Sequence, residues 1–205
     1  MEDPLHLIED KKVIKILDEL YINDIEWLNP LPNSIQTYDW TTEEYINITV
    51  DDILKYNQSD INQINNDAPI SSYSSIESYH MSMDDRIKKT KELMYKLLDI
   101  MVNKIKKYNI LTTKDIIVRN YPLFYNNVLL PWHANCRMPG LAWNFVYNLE
   151  DTSFFRYIDI NTGEMITKHE PKGWSINYMI MNDCSNPFWH CVFAETHRIS
   201  YGIGE

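Results

Sequence analysis

The sequence predicts an α+β fold, a helical front followed by an antiparallel β-structure of jelly-roll or barrel type. Three observations carry that expectation. Residues 83–108 repeat their apolar positions with helical spacing. After Asn109 the chain turns to short β-branched and aromatic runs. Turn residues separate those runs at close intervals, the pattern of a two-sheet or closed β-architecture.

The elements follow in order. Leu5, Ile8, Val13, Ile14, Ile16, Leu17 and Leu20 recur with roughly helical spacing within residues 5–28, and Pro30 and Pro32 stop that stretch. Residues 41–56 open on Thr41-Thr42-Glu43-Glu44 and contain a capping pattern, with Thr49 as the cap and Asp52 three residues on. Residues 57–82 are polar and serine-rich and read as a loop. The helix over 83–108 has Asp84 and Asp85 at its front and Lys104, Lys106 and Lys107 at its back, both matching the helix dipole. Ile87, Met94, Leu97, Leu98, Met101, Ile105 and Tyr108 form its apolar stripe. Strands are expected at 115–119, 123–130, 141–149, 153–160, 164–168, 174–181, 188–193 and 197–203, with turns at Asn161-Thr162-Gly163 and Pro171-Lys172-Gly173. The helical part (1–108) is expected to pack on one sheet of a β core (109–205), making one compact unit.

The net charge of −10 is unevenly placed: residues 1–85 hold eighteen acids and four bases, residues 86–205 eleven acids and fifteen bases. The acidic front argues against a phosphate-binding surface, and hence against duplex nucleic acid as partner. The three cysteines (Cys136, Cys184, Cys191) make no CxxC pair and are odd in number, which fits a reduced, cytoplasmic setting. The N-terminal MEDPLHLIEDKK lacks the basic start and apolar run of a signal peptide, and no window approaches 18 apolar residues, so no membrane association is expected.

The chemistry concentrates in the last third. His133 lies in Pro131-Trp132-His133-Ala134-Asn135, His190 in Phe188-Trp189-His190, and Arg198 with Ser200 in His197-Arg198-Ile199-Ser200. Two neutral imidazoles supply nitrogen ligands for a divalent metal. A guanidinium eight residues past the second histidine supplies a planar fork for a carboxylate. The plainer readings stand beside these: His190 as a core histidine in an apolar strand, and Arg198 as a surface residue paired with an acid such as Glu195.

The order His…His…Arg-x-Ser resembles the iron(II)- and 2-oxoglutarate-dependent oxygenases, in particular their aspartyl/asparaginyl β-hydroxylase-like branch, over about residues 110–205. The resemblance implies a double-stranded β-helix (jelly roll, cupin-like) with the helical N-terminal part on one sheet. It implies Fe(II) held by His133 and His190, and 2-oxoglutarate as co-substrate with its far carboxylate on Arg198 and Ser200. The family pattern places Asp or Glu two residues after the first histidine; here that residue is Asn135, a weak neutral donor. Asn135 ligates weakly, or water or a halide fills its place, or another carboxylate such as Asp159 or Glu164 does.

Arg137, Asn144 and Tyr147 are candidate substrate contacts, with Arg137 suited to a substrate carboxylate. Strict alternation in Leu141–Leu149 puts Trp143, Phe145 and Tyr147 on one face and Asn144 and Val146 on the other, so Asn144 and Tyr147 share the pocket only across a bulge. The expected activity is hydroxylation of an amino acid, peptide or protein side chain. The alternatives are a catalytically degenerate cupin-like binding or structural protein, or a halogenase using the missing carboxylate position. The substrate's identity and the oligomeric state are not legible in the sequence.

Overall fold

The computed structural model describes residues 3–25, 49, 51, 85–125, 128–134, 138–183 and 185–205; residues 85–87, 120–125, 128–131 and 133 are described through their backbone alone. The helix or turn expected over 41–56 (Thr49 and Asp51 apart), the loop over 57–82, Asp84 and the side chain of Ile87 lie outside the described residues.

A 3₁₀ turn (Leu7–Glu9) leads into helix α1 (Lys11–Ile25). Asp3 starts the segment, accepting the backbone N–H groups of Leu5 (3.1 Å) and Leu7 (2.7 Å). Asp10 caps α1 through the Lys12 N–H (2.9 Å) and pairs with Lys104 at 2.9 Å. Val13, Leu17, Leu20 and Asp24 are its buried residues, spaced as one face of a helix. Helix α2 (Asp85–Lys107) buries Leu93, Met94, Leu97, Met101 and Ile105. Asn109 turns left-handed (φ 53°) while the Ile110 N–H reaches back to the Ile105 carbonyl (3.1 Å), closing the helix. Tyr108 therefore leaves the expected stripe and is 48% exposed, and Leu93 joins it.

Eight strands follow among the described residues: β1 (Ile117–Tyr125), β2 (Val128–His133), β3 (Gly140–Asn148), β4 (Ser153–Ile158), β5 (Met165–Glu170), β6 (Gly173–Met181), β7 (His190–Ala194) and β8 (Arg198–Gly204). The run 123–130, expected as one strand, is divided between β1 and β2, with 126–127 outside the described residues. The strands form two antiparallel four-stranded sheets, ordered β1-β8-β3-β6 and β2-β7-β4-β5. The chain crosses from the second sheet to the first through the two residues Pro171 and Lys172.

Period-two alternation divides the first sheet into two faces. Leu141, Trp143, Phe145, Ile199, Tyr201 and Ile203 face the helices and join their apolar residues in one buried cluster. Ala142, Met179 and Met181 face the second sheet and pack with Phe155, Tyr157, Phe188, Val192 and Ala194. The layers are thus helices, first sheet, second sheet, and a mixed helical and antiparallel-sheet architecture replaces any simple sandwich. One buried polar knot joins helices to sheet: the Asp24 carboxylate accepts from Thr90 Oγ1 (2.6 Å), Asn23 Nδ2 (2.9 Å) and the Tyr201 hydroxyl (2.8 Å). Burial pushes the Asp24 carboxyl above its ordinary value despite those three donors. No helix among the described residues is long and apolar enough to cross a membrane.

Candidate functional site

The space between the two sheets is the candidate site. Strand β7 carries His190 at its first residue, 3% exposed. Its ring lies 5.5 Å from the rings of both Phe155 and Phe188, inside the inter-sheet core. Nδ1 is 3.0 Å from the Phe188 carbonyl, so Nδ1 carries the proton and donates it. That tautomer leaves the lone pair on Nε2, the arrangement by which a carbonyl orients a metal-binding imidazole.

Strand β2 brings His133 directly opposite His190: the two are register partners after an irregularity between Leu130 and His133. Opposed positions in an antiparallel pair set their Cβ atoms ~4.5–5.5 Å apart, within reach of one ion. The side chain of His133, and Asn135 and Arg137 entirely, lie outside the described residues. Among the described residues no three His, Cys, Asp or Glu side chains form a metal-binding group.

On the facing sheet, β8 places Arg198 and Ser200 on the face opposite Ile199, Tyr201 and Ile203, toward the second sheet, and both are 4% exposed. Asn144 is the register partner of Asn177 and Gly202 on that same face. Tyr147 is on the other face, its ring 4.1 Å from that of Tyr21 and 5.2 Å from that of Trp174. No bulge interrupts β3, so Asn144 and Tyr147 stay on opposite sides. The structure therefore brings together His133, His190, Asn144, Arg198 and Ser200 around one interior and leaves Tyr147 under the helices.

Arg198 meets a carboxylate there, and it belongs to the chain. Its Nε donates to Glu170 Oε2 (2.8 Å) and its Nη2 to Glu170 Oε1 (2.9 Å), a bidentate pair with both side chains almost wholly enclosed. Asn177 Nδ2 also donates to Glu170 Oε1 (2.6 Å). The Asn177 carbonyl oxygen accepts from Lys168 Nζ (3.0 Å), which donates to the Ile176 carbonyl as well (2.6 Å). Burial alone would raise the Glu170 carboxyl; the charge and hydrogen bonds of Arg198, with Asn177 and Lys168, outweigh it and hold Glu170 below its ordinary value. Burial lowers Lys168, partly offset by Glu170. The buried Ser175 hydroxyl finds no hydrogen-bond partner among the described residues.

Sequence reasoning missed Glu170, Asn177 and Lys168. A signal existed: Ile166, Lys168 and Glu170 share one face of a strand running up to the Pro171 turn, and a strand ended at 168 hides it. Glu195, named beforehand as the acid for Arg198, is exposed, and Glu170 holds the guanidinium instead. Asp159 accepts the N–H groups of Asn161 (2.8 Å) and Thr162 (3.3 Å) in its own turn, and Glu164 is exposed in the same turn. His169 is exposed on the outer face of β5. Cys191 is a buried free thiol, while Cys136 and Cys184 lie outside the described residues.

No family model and no curated protein matches the chain. Among solved structures, it is similar to a Pseudomonas putida prolyl-4-hydroxylase, with a TM-score of 0.38 and 15% identity. The alignment covers 53% of this chain and 60% of that one, so the chain spans less than two thirds of that structure.

Proposed function

We propose that this chain is an iron(II)-dependent oxygenase of the 2-oxo acid type, built on a double-stranded β-helix and hydroxylating an amino acid, peptide or protein side chain. The strand order β1-β8-β3-β6 over β2-β7-β4-β5 supports the jelly-roll reading. The observation that carries the function is the register pairing of His133 with His190 at the rim of the space that Arg198 and Ser200 face. It joins, in space, two metal ligands that lie 57 residues apart in sequence.

The residues fit a divalent metal: His190 Nε2 and the imidazole of His133 would hold it, with Asn135 or water completing the set. When bound, the metal supplies dioxygen activation, and the overall reaction turns a 2-oxo acid, dioxygen and a substrate C–H bond into carbon dioxide, the shortened acid and a hydroxyl. The chain's own part is to orient and to exclude water. The Phe188 carbonyl fixes the His190 ring, and Phe155, Tyr157 and Phe188 wall the metal side of the interior. The far carboxylate of 2-oxoglutarate does not fit Arg198 as the residue stands, because Glu170 already fills its fork.

That closed pair, with Asn135 in the carboxylate position, favours one second reading: a cupin-like binding module without catalysis. Titration of the full chain with Mn(II), followed by calorimetry, separates the two. The oxygenase reading expects one site that His190→Ala and His133→Ala each abolish, and oxygen uptake with Fe(II) and a 2-oxo acid. Absence of metal binding overturns it.

A further inference from the structure

We infer that Glu170 is a built-in occupant of the anion position on Arg198, so that the site takes a 2-oxo acid with an uncharged tail in place of a dicarboxylate. The inference rests on the oxygenase reading above and names the class of its co-substrate.

The argument is one of saturation. A guanidinium recognises a carboxylate through two parallel N–H···O bonds, and Arg198 spends that pair of donors on Glu170 at 2.8 and 2.9 Å. The occupant is held from several directions. Lys168 Nζ donates to Asn177 Oδ1, which fixes the amide so that its NH₂ points at Glu170 Oε1. Lys168 is itself tied to the Ile176 carbonyl, so this support is anchored to the backbone of β6. The backbone beneath Glu170 is constrained too: it is the last residue of β5, followed at once by Pro171 and the two-residue crossing into β6. The carboxylate is wholly buried, and swinging it away would strip it of three donors without offering it water.

A guest carboxylate arriving at Arg198 would meet a fixed like charge. Discrimination of this kind is repulsive: the site rejects one ligand by what it already contains. An uncharged tail meets no such opposition, and the face that Arg198 shares with Ser175, Val146 and Ser200 offers it small and apolar neighbours. Arg198 and Glu170 then act as positioning residues that close the end of the hollow.

The test compares 2-oxoglutarate with 2-oxopentanoate, which has a methyl group where the former has its far carboxylate. Each is titrated into the full chain loaded with Mn(II), by calorimetry. The wild-type chain is expected to bind 2-oxopentanoate at least as tightly as 2-oxoglutarate. Glu170→Gln is expected to shift the ratio of the two affinities toward 2-oxoglutarate by about tenfold or more. A wild-type preference for 2-oxoglutarate of about tenfold overturns the inference, and this arm stands even where Glu170→Gln fails to fold. An unmoved ratio in a folded Glu170→Gln variant overturns it as well. Mn(II) binding with the wrong acid preference removes this inference alone. No Mn(II) binding, or metal binding with neither acid, removes the oxygenase reading along with it.

Discussion

Replacing Glu170 with alanine strands a guanidinium. The Arg198 and Glu170 side chains are 3% and 0% exposed, so neither partner reaches water when the other is lost. Breaking a buried pair from one side costs about 3–5 kcal/mol, because the remaining charge has no solvent to return to. Against a domain stability of roughly 5–15 kcal/mol, that is a large share. With a urea m-value of ~2 kcal/mol/M for a chain of this size, the midpoint should fall by ~1.5–2.5 M. Tryptophan fluorescence during urea unfolding reads this directly. The apolar double replacement Glu170→Leu with Arg198→Met should recover most of the loss, since both charges leave together. The effect also has a pH signature. Glu170 ionises more readily in the fold than in the unfolded chain, so its contribution is present above the ordinary carboxylate range. It is lost as pH falls through the lowered folded value, so the gap between wild type and Glu170→Ala should narrow below about pH 4. A midpoint shift under ~0.3 M at neutral pH, or a double variant no better than the single one, refutes the ion-pair argument.

Asp24 behaves in the opposite sense. Its folded value is raised by burial, so between the unfolded and folded values the native state holds the extra proton and stability falls as pH rises. Asp24→Asn keeps acceptors for Thr90 and Asn23 and faces Tyr201 with an amide that its hydroxyl accepts; it should be neutral or stabilising at pH 7 and lose that advantage in acid. Urea midpoints at pH 4 and 7 check this, and a cost above ~1 kcal/mol at pH 7 contradicts it. Gly204 tolerates no side chain: an added Cβ would stand 2.3 Å from the Leu141 carbonyl oxygen and 3.0 Å from the Ala142 Cα, both backbone atoms. Gly204→Ala should therefore destabilise by ~1–3 kcal/mol, read as a lowered thermal midpoint, with an unchanged midpoint as the contrary result.

The strands were legible because period-two alternation and turn residues are local. Leu141 to Asn148 carries its two faces in its own spelling, helix-facing Trp143 and Phe145 against Asn144 and Val146. Helix α2 was legible for the same reason, with its lysines in the last turn. The His133–His190 pairing was approachable because both residues announce themselves as ligands, although only strand register sets them opposite each other. Glu170 was not legible as Arg198's partner. The two lie 28 residues apart on different sheets, and which acid a buried arginine meets depends on how the sheets are stacked. Asp24 was hidden likewise, since its burial comes from Thr90 and Tyr201, far along the chain.

The Asp24 knot has a consequence for the strand that holds the site. Tyr201 hangs from β8 into the helices, and its neighbours Ser200 and Arg198 lean the other way. One ribbon of backbone thus serves as anchor on its rear and as workbench on its front. Pulling α1 loose would uncover Trp143, Phe145 and Tyr201 and slacken the rod on which Arg198 is mounted. The helices are therefore a splint for β8, and a fragment beginning at β1 should not retain the geometry of the interior.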